Sequence, residues 1–101
     1  MDRRLELQTK LEELLGNRHV YYQPPENLKM EYPAIRYSKS IIGSRHADNM
    51  KYSNLTRYEI IVIDKRPDNE VIDKILSLNY ASYDRHYASN NLNHDVITLY
   101  Y

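Results

Sequence analysis

The sequence predicts an α+β domain: a single, mostly antiparallel sheet with two helices packed on one face, in the order α-β-β-β-α-β-β. Three observations carry that prediction. Leucines recur at helical spacing near the start, the stretch Leu55 to Asp64 is apolar on both of its alternating faces, and two further alternating runs flank a Ser89-Asn90-Asn91 turn. A chain of 101 residues is one domain's worth, so residues 1–101 are read as a single unit.

The first helix is expected over residues 3–15. Leu7, Leu11, Leu14 and Leu15 share one side, and Glu6, Lys10, Glu12 and Glu13 fill the other. Asp2 is placed to cap its start and Gly16 to end it in a left-handed conformation. Val20 to Gln23 reads as a short strand. Pro24-Pro25 stops it, and because proline cannot donate to a ladder the strand belongs at a sheet edge. After a polar turn, Pro33 opens a strand over residues 34–42, with Ile35, Tyr37 and Ile41 on its buried face.

Residues 43–54 are polar and read as a long loop joining that strand to the strongest strand in the chain, residues 55–64. There Tyr58, Ile60 and Val62 line one face and Ile61 and Ile63 the other, the pattern of a central strand covered on both sides. The two strands should pair as a long antiparallel hairpin. Arg66-Pro67-Asp68-Asn69 turns the chain into a second helix, with Asp68 as its cap and Val71, Ile72, Ile75, Leu76 and Leu78 as its apolar side. An alternating run from Tyr80 to Tyr87 and a last strand from Asp95 to Tyr101 complete the sheet.

All eleven aromatic side chains are tyrosine, with neither Phe nor Trp. A tyrosine joins a large apolar ring to a polar tip, which suits half-buried positions and protein contacts. Formal charge is zero, but it is unevenly spread. Arg36, Lys39, Arg45, Lys51 and Arg57 face only Asp48 within residues 36–57. Such a patch attracts nucleic acid or an acidic surface, and more commonly it is simply solvated. No apolar run is long enough to span a bilayer, and Met1-Asp2-Arg3-Arg4 is no signal peptide. The absence of cysteine removes disulfides, thiolate chemistry and cysteine-based zinc sites, in keeping with folding in a cytoplasm.

The residues point away from an enzyme. His86 and His94 flank the predicted turn near Asp84 and Asp95, but this spacing does not encode the convergence a metal needs, so hydrogen-bonded surface histidines and no metal or cofactor are expected. There is no Gly-x-Ser-x-Gly elbow, and Gly16 and Gly43 alone make no phosphate-cradling loop. Arg36-Tyr37, Lys51-Tyr52 and Arg57-Tyr58 imitate a single-strand-binding pattern. On a strand, however, neighbours point to opposite faces, so each pair divides between solvent and core.

The segments Tyr32-Pro33-Ala34-Ile35-Arg36-Tyr37, Arg57 to Asp64, Asp84-Arg85-His86-Tyr87 and Asn91 to Val96 together resemble small proteins from the structural-gene clusters of tailed phages and prophages of Gram-positive bacteria. Within that setting the chain resembles a tail completion, or tail terminator, protein. The resemblance implies a non-enzymatic protein that caps the tail tube and joins it to the head-side connector, commonly as a six-membered ring. Its partners would be further copies of itself, the tail-tube protein and the connector or stopper protein. DNA would only pass transiently through the lumen, and no membrane is involved. The implied place is the virion's tail–head junction, assembled in the host cytoplasm. A connector or stopper protein of the same particle is the alternative, followed by a small nucleic-acid-binding domain.

A ring needs heterologous contacts between unlike faces of neighbouring subunits. Tyr21 and Tyr22 on the short strand and Tyr100 and Tyr101 on the terminal one are the expected contact tyrosines, where a neighbour completes their burial. Arg45 and Lys51 are expected to carry the 43–54 loop to a neighbour, the tube or the lumen.

Overall fold

The computed structural model describes residues 3–25, 27–39 and 56–101. The chain runs α1 (Arg3–Leu15), β1 (Val20–Tyr22), β2 (Ala34–Lys39), β3 (Arg57–Asp64), α2 (Val71–Leu76), β4 (Ala81–Ser89) and β5 (Leu92–Tyr100). The predicted order and class therefore hold. The strands form one sheet ordered β1-β2-β3-β5-β4. Only β1 and β2 are parallel; every other neighbouring pair is antiparallel.

Helix α1 ends as its sequence dictates. Gly16 takes a φ of +87° and returns its N–H to Glu12 O at 2.9 Å, closing the last turn where a side chain would be strained. Leu7 and Leu11 turn fully into the core, while Leu14 and Leu15 cover its margin. Asp2, the expected cap, lies outside the described residues, as does the 43–54 loop.

Strand β3 holds the sheet's centre because both of its faces are buried. Tyr58, Ile60 and Val62 join Ile35, Tyr37, Ile97 and Leu99 beneath Leu7, Leu11, Val71 and Ile75 of the two helices. Ile61 and Ile63 face the other way with Val96, under Met30, Tyr32 and Leu92. The main core thus lies between sheet and helices. The connection between β1 and β2 covers a smaller core on the opposite face. Burying a side chain such as Ile60 or Ile97 supplies roughly 1.5–3 kcal/mol each, so the larger cluster dominates the stability.

The tyrosines explain how α1 is fixed to the sheet. Tyr22, Tyr37 and Tyr58 pack as a row across β1, β2 and β3, with ring centroids 5.0 and 5.9 Å apart. The Tyr37 hydroxyl donates to Gln8 Oε1 at 2.6 Å and accepts from Arg4 Nη1 at 3.4 Å. Gln8 Nε2 in turn donates to Glu12 and to Val20 O, both at 3.0 Å. One buried phenol therefore ties helix to sheet through a glutamine that also occupies the outward Val20 carbonyl of β1.

Three local expectations require correction. The second helix is not capped by the exposed Asp68. Asn69 is buried, and its Oδ1 accepts the Val71 N–H at 2.9 Å while its Nδ2 donates to the buried Asp64 carboxylate at 2.7 Å. The helix also stops at Leu76, before Leu78. Finally, the last strand starts at Leu92 rather than Asp95, because Asn90 and Asn91 adopt left-handed φ values of 54° and 63° and form a tight two-residue hairpin turn. Pairing begins immediately beside such a turn. We expect Asn69→Ala to cost about 1–2 kcal/mol, since it removes the cap and a partner of Asp64. Asp68→Ala should be nearly silent, and urea denaturation of the two variants separates them.

Candidate interaction surface

A sheet of five strands has two edges, and in this chain they differ. At the β1 edge, His19 O and the Gln23 N–H bond to Ile35 and Tyr37 of β2, so the alternate residues Val20 and Tyr22 turn their backbone groups outward. Gln8 covers the Val20 carbonyl. Tyr22 packs on Tyr37 and beneath the Arg4 guanidinium, whose carbon lies 4.4 Å from the ring centre. Tyr21 points to the other face, where its hydroxyl accepts from the Glu31 N–H at 3.4 Å. This edge is short and largely covered by its own chain.

The β4 edge is open. Every residue from Ser82 to Ser89 is exposed, on both faces of a nine-residue strand. Tyr83, on the helix side, donates its hydroxyl to Asp95 Oδ1 at 2.7 Å. That hydrogen bond, reinforced by burial and the negative charge of Asp95, holds the Tyr83 phenol above its ordinary pKa. His86 shares the helix side and lies 3.1 Å from Asn93 Oδ1. On the opposite face Tyr87 stacks on His94, with centroids 4.6 Å apart and planes 11° from parallel. The Arg85 guanidinium carbon lies 5.8 Å from the Tyr87 ring centre. Side chains one strand inward thus hold these exposed rings in place.

The register breaks once, between Tyr83 and Arg85, where Asp84 is the extra residue of a bulge. Asp84 Oδ2 accepts from Arg85 Nη1 at 2.8 Å, an exposed ion pair on the outer rim. It belongs to the surface chemistry of the edge rather than to stability.

The contact residues expected from the sequence do not come together. Tyr21 and Tyr22 lie at the β1 edge, whereas Tyr100 and Tyr101 lie beside β3. The C-terminal strand is not an edge: β5 is bonded to β3 on one side and β4 on the other. Tyr101 exchanges two backbone hydrogen bonds with Thr56 and its ring packs against the main core. Arg45 and Lys51 lie outside the described residues. Sequence reasoning assigned no contact role to Tyr83, Arg85 or Tyr87, although the Asn90-Asn91 turn already marked their strand as half of a hairpin.

Among the described residues, no three His, Cys, Asp or Glu side chains converge as metal ligands. His86 and His94 instead point to opposite faces of the hairpin, following the register that pairs them with Asp95 and Tyr87. No helix among the described residues is long and apolar enough to cross a membrane. Comparison of the chain with protein-family models, with curated proteins and with solved structures returned no match.

Proposed function

We propose that this chain is a non-enzymatic assembly protein of a tailed-phage particle, a tail completion protein that caps the tail tube and joins it to the head-side connector. In this reading it acts as a homo-oligomeric ring, six-membered as its sequence resemblance implies. The observation that carries the reading is the β4 strand, exposed from Ser82 to Ser89 and carrying Tyr83 and Tyr87 on its two faces. An uncovered strand bearing fixed aromatic rings is a surface suited to a protein neighbour. The ring contact is therefore assigned to the β4–β5 hairpin, in place of the terminal tyrosines.

Electron microscopy of the particle containing the chain tests this directly. The expected result is a six-fold ring between tail tube and connector, with the hairpin at the subunit boundary. A twelve-fold ring seated on the portal would replace the terminator role with a connector role. Absence of the chain from the particle would overturn the reading altogether.

A further inference from the structure

We infer that the free chain pairs with a second copy of itself through β4, in an antiparallel arrangement whose two-fold axis passes between Asp84 and Arg85. Four features of the fold lead there. The first is that, among the described residues, the two edges are unequal. β1 is three residues long and Gln8 occupies its outward Val20 carbonyl, whereas β4 offers nine residues, so a continuous sheet between copies is best built from β4 to β4.

The second is the direction of the β4 backbone. Tyr100 donates its N–H to Tyr80 O at 3.1 Å, which makes these two a bonded pair. Alternation then turns the backbone groups of Ala81 and Tyr83 away from β5. Beyond the bulge, the tight turn at Asn90 and Asn91 makes Ser89, Tyr87 and Arg85 the inward-bonded set. His86 and Ala88 face outward. The outward residues are thus 81, 83, 86 and 88, symmetric about the midpoint of Asp84 and Arg85.

The third is the bulge itself. Bulges normally protect an edge, because a straight strand cannot stay in register across them. A second copy carries the same irregularity at the matching place. Around the proposed axis Ala81 meets the other copy's Ala88, and Tyr83 meets its His86, so all four outward positions pair and the two bulges face each other. This is why a second copy fits better than a foreign strand.

The fourth is charge. The same register sets each Asp84 opposite the other copy's Arg85, so the ion pair within each copy is exchanged for one across the axis and no charge is left facing its like. An isologous contact of this kind closes at two copies and does not extend into a ring. The dimer is therefore a state of the chain outside the particle, and the inference does not rest on the phage reading.

Sedimentation and light scattering of the purified chain at low salt should give twice the 12.1 kDa of one copy at high concentration. Asp84→Arg alone and Arg85→Asp alone each place like charges opposite each other twice, and each should weaken the dimer roughly 10-fold. Mixing the two variants should restore it, since every Arg then meets an Asp. Amide exchange at Ala81, Tyr83, His86 and Ala88 should slow on dimerisation. Circular dichroism of each variant reports folding separately. A wild-type chain that stays monomeric, a mixture that fails to recover, or unprotected amides at those four residues would overturn the inference. A monomeric free chain found as a ring in the particle would overturn it and leave the proposed function standing; a dimer absent from any particle would do the reverse.

Discussion

Tyr37→Ala should cost about 4 kcal/mol, the largest loss from any single substitution considered for this chain. Its side chain is only 1% exposed, lies between the rings of Tyr22 and Tyr58, and is the point at which α1 is bonded to the sheet. Truncation opens a cavity beneath the helix and strands Gln8 Oε1 at the same moment. Since small domains are stable by only about 5–15 kcal/mol, a visible unfolded fraction is expected at moderate temperature. Tyr37→Phe isolates the polar part. It keeps the ring and removes the hydroxyl's bonds to Gln8 and from Arg4, so it should cost only about 1–2 kcal/mol. Urea midpoints of the two variants measure the difference, and equal losses would contradict this division.

The same phenol gives the fold an alkaline limit. Burial raises the Tyr37 pKa, and this outweighs the opposing hydrogen bond and positive charge of Arg4. The neutral form is therefore favoured by the folded state. Its contribution is fully present below the unfolded tyrosine pKa, near about 10, and is lost as pH rises through the higher folded value. Melting temperature measured across that range should fall for the wild type, and less steeply for Tyr37→Phe.

Much of this architecture was legible because local and global signals agree. Leu7, Leu11 and Gly16 give α1 its face and its end, and the alternation from Tyr58 to Ile63 requires a strand with two buried sides. Tyr37 and Tyr58 are core residues in sequence and structure alike. What sequence could not carry was the order of the last two strands. A hairpin can pair with β3 through either arm, and Val96, Ile97 and Leu99 win because their buried faces match those of Ile60 and Ile61. That choice moves the C-terminal strand inward and pushes Tyr83 and Tyr87 to the rim. It also extends β5 over Leu92, Asn93 and His94, where backbone bonding continues without an apolar pattern to announce it. The Asn69 cap was missed for a similar reason. Asp68 and Asn69 are both good cap types, and only the position of Asp64 selects between them.

Replacing Tyr83 and Tyr87 together by Ser should weaken ring assembly roughly 100-fold, the second large effect expected. Each is a broad ring already held in one orientation, by Asp95 in one case and by His94 in the other, so little side-chain freedom remains to be lost on contact. Tyrosines of that kind concentrate binding energy, and about 1.5 kcal/mol from each gives the stated factor. Folding should lose only about 2 kcal/mol, since both rings are exposed and what goes is the Asp95 hydrogen bond and the stack of Tyr87 on His94. Leu5 provides the control. It is 53% exposed on α1, more than either tyrosine, yet belongs to the helix layer and no sheet edge. If exposed apolar area alone drove assembly, Leu5→Ser would be as damaging as the tyrosine changes. On the present reading it should leave the yield of joined particles unchanged, while the double tyrosine variant gives unjoined heads and tails that can be counted by electron microscopy. Full joining by a folded double variant would remove the hairpin from the subunit boundary.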